Sequence, residues 1–139
     1  MATDFRDLRV WEEAMVLVEK TYELAAGFPA DERFGLSSQI KRAAVSVPSC
    51  IAEGNARHST RDYLRFLSMA SGSLAEVQTQ TLLALRLGFI GQSAADALLA
   101  QHRSVSIQLQ TMRKSLQRKD AQDTGMSHSP FPVPHSQPL

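Results

Sequence analysis

Three arginines stand four residues apart at Arg57, Arg61 and Arg65, with His58 beside the first, and a second basic pair, Lys41 and Arg42, precedes them. Such side chains hold anions, and a guanidinium matches phosphate or carboxylate geometry with two parallel N–H donors. At a spacing of four on a helix, like charges repel by a few tenths of a kcal/mol per pair, a cost that a polyanion or an acidic neighbouring subunit offsets. Lys41, Arg42, Arg57, Arg61 and Arg65 are therefore the candidate contacts to nucleic-acid phosphate. The plainer reading is an ordinary solvated basic face, because no aromatic residues alternate with these cations to stack on bases.

The same region carries a second signature, "SVPSCIAEGNARHS" over residues 46–59, in which Pro48, Glu53 and Gly54 form a candidate structural corner. Glu53 near a helix C-terminus opposes the macrodipole, so it calls for a cation, Arg57 or Arg42, or else stands exposed. Gly54 is the natural stop for the helix. His102 falls in the apolar phase of its segment with no second His or Cys three or four residues away, which suits a hydrogen-bonded core histidine better than a metal ligand. Cys50 reads as a small core residue rather than a nucleophile, with no histidine next to it on the helix. Trp11 and Tyr22 either cap the bundle end or serve a subunit interface. There is no Gly-rich phosphate loop, no nucleophile elbow, no zinc spacing and no paired Glu-x-x-His motif of a di-iron bundle. The expectation is a protein that is not an enzyme and takes no cofactor and no metal.

Four segments with helical spacing must position these residues. Val10, Ala14, Leu17, Thr21, Leu24 and Phe28 make the first stripe, and Leu36, Ile40, Ala43, Val47 and Ile51 the second, whose start is marked by Asp31 and Glu32. The third opens on Ser59 as N-cap, with Asp62 where a capping box has Glu, and runs through Tyr63, Phe66, Leu67, Ala70, Leu74, Val77, Thr81 and Leu85 to Gly88. The fourth begins after Ser93 and carries Leu98, His102, Val105, Leu109, Met112 and Leu116, with Arg113, Lys114, Arg118 and Lys119 in its last turns. Pro48 costs roughly 3 kcal/mol in a helix interior. The apolar step keeps its phase across it, so the second helix is expected to continue, kinked. No segment alternates like a strand. Short connections between four such helices predict an all-α fold, an antiparallel up-down-up-down four-helix bundle over residues 1–120. Residues 121–139 hold four of the six prolines and no periodicity, which predicts a disordered tail.

A formal charge of +1, with 15 Lys and Arg against 14 Asp and Glu, excludes a global basic excess. One cysteine cannot form an internal disulfide, the start lacks a secretory pattern, and no apolar run spans a bilayer, so a cytoplasmic protein without a membrane partner is expected. Val18, Leu64, Leu83, Leu87 and Leu99 lie outside the main stripes and would widen the apolar surface of a lone monomer.

From "DLRVWEEA" (Asp7 to Ala14), through "FPADERFGLSSQIKRAAVSVPSCIAEGNAR" (Phe28 to Arg57), to "YLRFLSMASGSLAEVQTQ" (Tyr63 to Gln80), the chain resembles the bacterial four-helix-bundle proteins named after the intervening sequences of 23S rRNA genes. The likeness is weaker over the fourth helix and absent from the tail. Cys50 departs from it, standing where the family pattern has asparagine before "IAEG". The resemblance implies a bundle that assembles into a homo-oligomeric ring, typically a pentamer, without enzymatic activity. A relative in this superfamily is an accessory protein to reverse transcriptases of diversity-generating retroelements. Two functions are left open: an oligomer that contacts RNA, DNA or a nucleic-acid enzyme through its basic surface, and a structural assembly that binds a protein partner only.

Overall fold

The four- and three-residue steps of apolar side chains become four helices, because each winds its apolar positions onto one face and must bury that face against another. A computed structural model describes residues 4–126. Helix α1 (Arg9–Ala25) buries Val10, Ala14, Leu17 and Thr21, and α2 (Leu36–Asn55) buries Leu36, Ile40, Ala43, Val47 and Ile51. Helix α3 (Thr60–Arg86) turns Phe66, Leu67, Ala70, Leu74, Val77 and Thr81 inward. Helix α4 (Gln92–Met126) completes the core with Leu98, His102, Val105 and Leu109. Among the described residues there is no strand.

Side-chain hydrogen bonds fix the order of packing. Tyr63, Ser73 and Gln80 of α3 bond in turn to Asn55, Ser46 and Gln39 of α2, so α3 runs back along α2. His102 and Arg113 of α4 reach Leu74 and Ser68 of α3, while Gln101 and Ser104 bond to Glu13 of α1. Each helix packs on two neighbours and α1 and α4 close the ring, giving an all-α four-helix bundle in which α3 runs antiparallel to α2 and α4 antiparallel to α3. Helix α3 ends in a Schellman motif: Gly88, at φ 76°, lets the Phe89 N–H reach the Ala84 carbonyl at 2.9 Å and its own N–H reach the Leu85 carbonyl at 3.1 Å.

Local chemistry at the helix ends differs from the expectation in four places. Asp31 and Glu32 lie in a separate 3-10 turn, Ala30–Glu32. Glu32 still serves α2, because its Oε1 accepts from the Leu36 N–H at 2.9 Å. Ser59 caps α3 by accepting from the Asp62 N–H at 3.1 Å, but the Asp62 carboxylate turns to Arg65 instead of closing the box. Gly54 does not stop α2. The helix continues through it, unbroken also at the buried Pro48, to Asn55. Finally, α4 runs past Asp120 to Met126, so residues 121–126 are helical rather than part of a disordered tail, and Arg113 to Lys119 lie inside the helix instead of in its last turns. Ala121 to Thr124 hold no helix breaker, and the next proline after Pro48 comes only at Pro130. Residues 127–139, where the rest of that expected tail falls, lie outside the described residues.

Gly54 is required by a close approach. A Cβ built on it would stand 2.9 Å from Tyr63 Cδ1 and 3.0 Å from Phe66 Cβ, so α3 lies directly on the α2 backbone there. Tyr63 is held beside it and donates from its phenol to Asn55 Oδ1 at 3.1 Å. Burial pushes that phenol from its ordinary 10.0 up to about 12.

Glycine-to-alanine changes at two helical positions are expected to move stability in opposite directions. Gly54→Ala drives a methyl into the Tyr63 ring and the Phe66 Cβ and should destabilise by about 1–3 kcal/mol, whereas Gly72→Ala, with nothing within 4 Å of the added carbon, should stabilise by up to about 1 kcal/mol through helix propensity. Thermal unfolding followed by helical circular dichroism reads both, and equal signs would refute the close-approach account. A second expectation concerns alkaline pH. The folded state holds the Tyr63 proton more tightly than the unfolded chain, so this contribution is intact below about pH 10 and lost as pH rises toward 12. The stability gap between the wild type and Tyr63→Phe should therefore shrink over that window; parallel melting curves against pH would contradict it.

Candidate nucleic-acid interface

The five cations singled out by sequence do not form one patch. Lys41 and Arg42 lie on the first half of α2, while Arg57 follows that helix and Arg61 and Arg65 begin α3. At 1.5 Å of rise per residue, the stretch from Arg42 to Asn55 sets the two groups roughly 20 Å apart along the bundle.

At the α2–α3 corner, the guanidinium carbons of Arg57 and Arg65 lie over the Phe66 ring, 4.5 and 4.7 Å from its centroid. Phe66 itself is buried, so its ring positions the two cations and offers no face to a base. Arg57 meets Glu53 at 4.0 Å, the outer limit of an ion pair, between side chains 41% and 57% exposed. Such a pair is worth well under about 1 kcal/mol. Of the two partners considered for Glu53, Arg57 is the one that reaches it; Arg42 instead donates to Ser38 Oγ at 3.1 Å. Arg65 pairs with Asp62 at 3.2 Å. Arg61 parts from Arg65 and lines a polar cleft with His58, Ser59, Thr60, Lys119, Asp120 and Asp123. Arg57, Arg61, Arg65 and Lys119 are thus set among Glu53, Asp62, Asp120 and Asp123, and the local charge is close to balanced.

The other pair has different surroundings. Lys41 and Arg42 line a shallow cleft with Tyr22, Arg33, Phe34, Ser38 and Val45. The Lys41 ammonium stands 5.0 Å from the Tyr22 ring centroid and the Arg33 guanidinium 5.2 Å from that of Phe34. Arg33, Phe34 and Phe66 were not identified from sequence as site residues. Phe66 is hidden by its place in an apolar stripe, and its contact with Arg57 spans a turn. Phe34 did carry a signal, a large aromatic ring two residues ahead of the stripe that begins at Leu36.

The remaining candidates are internal. His102 is buried and its Nε2 donates to the Leu74 carbonyl at 2.8 Å, which fixes the tautomer with Nε2 protonated. Cys50 is buried on α2 with its Sγ 3.6 Å from Ser46 Oγ, and Ser46 accepts from Ser73 of α3 at 2.8 Å. A polar link between these helices therefore runs one turn before Cys50. Trp11 is half-buried with Phe5 edge-on at 5.2 Å, closing one end of the core. Among the described residues, no three His, Cys, Asp or Glu side chains gather as a metal site, and no helix is long and apolar enough to cross a membrane. What the surface offers chemically is anion contact by guanidinium and ammonium groups, part of it on aromatic rings.

A comparison with curated proteins returned no match. The family model described as 23S rRNA-intervening sequence protein matches residues 6–111, which takes in the first three helices, both basic groups and the α4 segment that completes the core. With more than half of its length matched, the chain belongs to the 23S rRNA-intervening sequence protein family.

Proposed function

We propose that this protein is a non-enzymatic helical bundle that works in the cytoplasm as a homo-oligomer, a pentameric ring on the family resemblance, and contacts the phosphates of RNA or DNA through the Arg57–Arg65 corner. The observation that carries the reading is the pair of guanidinium groups stacked on Phe66 with side chains still 41% and 60% exposed. Stacking holds each guanidinium fork steady, so less rotamer freedom is given up when a phosphate binds. The weak, exposed pairings with Glu53 and Asp62 leave donors for a phosphate to take. Assembly is supported by apolar side chains left on the surface: Leu83 and Leu87 are 43% and 54% exposed and adjoin Leu82 at 42%, while Val18, Leu64 and Leu99 are half-buried. A ring repeats a nearly balanced patch around its circumference, and avidity then raises affinity by orders of magnitude with no new kind of interaction. That is how a chain of charge +1 would hold a polyanion.

Replacing Arg57, Arg61 and Arg65 together with glutamine should weaken binding to structured RNA and to duplex DNA alike, flatten the salt dependence by about 0.9 in log–log slope for each phosphate no longer neutralised, and leave the oligomer mass unchanged. Fluorescence anisotropy at ~50 mM salt, the condition most favourable to phosphate binding, and light scattering read these effects. A wild-type protein with no anisotropy change on either nucleic acid would assign the arginines to a protein partner instead. A monomer mass at micromolar concentration would remove the oligomer.

A further inference from the structure

The cleft on the α1–α2 side combines features that the corner keeps apart. Phe34 is 86% exposed and Tyr22 46% exposed, although burying such a ring contributes about 1.5–3 kcal/mol. Three cations, Arg33, Lys41 and Arg42, stand among them. No acid lines the cleft, and among the described residues none of the three cations is in an ion pair. Arg33 lies over Phe34 and Lys41 over Tyr22, which steadies each ring while leaving most of the Phe34 surface open.

We infer that this face is a stacking platform for single-stranded nucleic acid, with a base against Phe34 and adjacent phosphates on Arg33, Lys41 and Arg42. The inference rests on the proposed nucleic-acid reading and extends it to a second surface with a different preference. Open π-faces are what an unpaired strand offers and a duplex conceals, and rings set among unpaired cations are the composition that sequence-tolerant single-strand sites use. A second copy presenting the same face is disfavoured, since a two-fold arrangement would set cation against cation. A copy presenting the acidic face of α1, with Glu12, Glu19 and Glu23, would meet the charge but supplies no flat group for Phe34.

The test uses the full chain and three fluorescein-labelled probes of about 20 nucleotides at ~50 mM salt: oligo-dT, oligo-U and a DNA duplex of the same length. Phe34→Ala should weaken both single strands by roughly 5- to 150-fold, the value of one base stack, while the duplex affinity and the salt slope stay as in wild type. The pair Lys41→Gln and Arg42→Gln should instead lower the single-strand salt slope by about 0.7 for each phosphate no longer neutralised. Phe34 lies outside the helices and is exposed, so helicity by circular dichroism should not change. Phe34→Ala binding single strands as wild type does would overturn the platform, even if the Arg57, Arg61 and Arg65 variant loses binding and the corner reading survives. A fall in oligomer mass on Phe34→Ala would overturn it too, by assigning the face to a neighbouring copy. Silence of all three probes on the wild type would sink platform and corner together.

Discussion

The missing side chain at Gly54 is the constraint on which the α2–α3 corner of this bundle depends. Only because α2 carries no Cβ there can Tyr63 and Phe66 of α3 lie within about 3 Å of where one would stand. That approach brings the Tyr63 phenol to Asn55 and buries Phe66. The buried ring in turn supports Arg57 from one helix end and Arg65 from the next helix. The two cations are neighbours in space because one glycine lets two helices touch, although eight positions separate them in the chain.

Elsewhere the core meets its polar groups both by local bonds and by bonds between helices. Thr21 and Thr81 donate to the carbonyls four residues back, both at 2.7 Å, so two hydroxyls are buried at little cost. His102 takes a carbonyl on the neighbouring helix and so ties α4 to α3 at a defined height. Ser46 and Ser73 do the same for α2 and α3 beside Cys50. These cross-helix bonds add specificity of register to a core whose apolar side chains alone would tolerate sliding.

The helices were legible in the sequence because burial follows the helical period: nearly every stripe residue, from Val10 to Leu109, is buried or half-buried. The errors came where a residue type serves two physical purposes. Glycine ends helices and also permits close packing, and nothing local to Gly54 distinguishes the two; the partner rings arrive from α3. A proline-rich tail advertises disorder, yet the residues just before it are competent helix formers, so α4 extends to Met126. The basic residues were legible as a set but not as a surface, since their separation along α2 follows from the helix being continuous through Pro48 and Gly54.

That separation changes what the charges can do. Coulomb attraction to a polyanion depends on cations that are not already neutralised, and near the surface a carboxylate at 3–4 Å removes much of a guanidinium's field. At the corner, Glu53 and Asp62 stand at 4.0 and 3.2 Å from their arginines, and Arg61 shares its cleft with two aspartates. Position there is well defined, and net field is small. In the cleft of Lys41 and Arg42 the order is reversed: no acid lines it, and the rings are open. On the proposed function, a nucleic acid would therefore be drawn first to the cleft, where the unpaired charge is. The corner would act later and at short range, by exchanging weak carboxylate partners for phosphate.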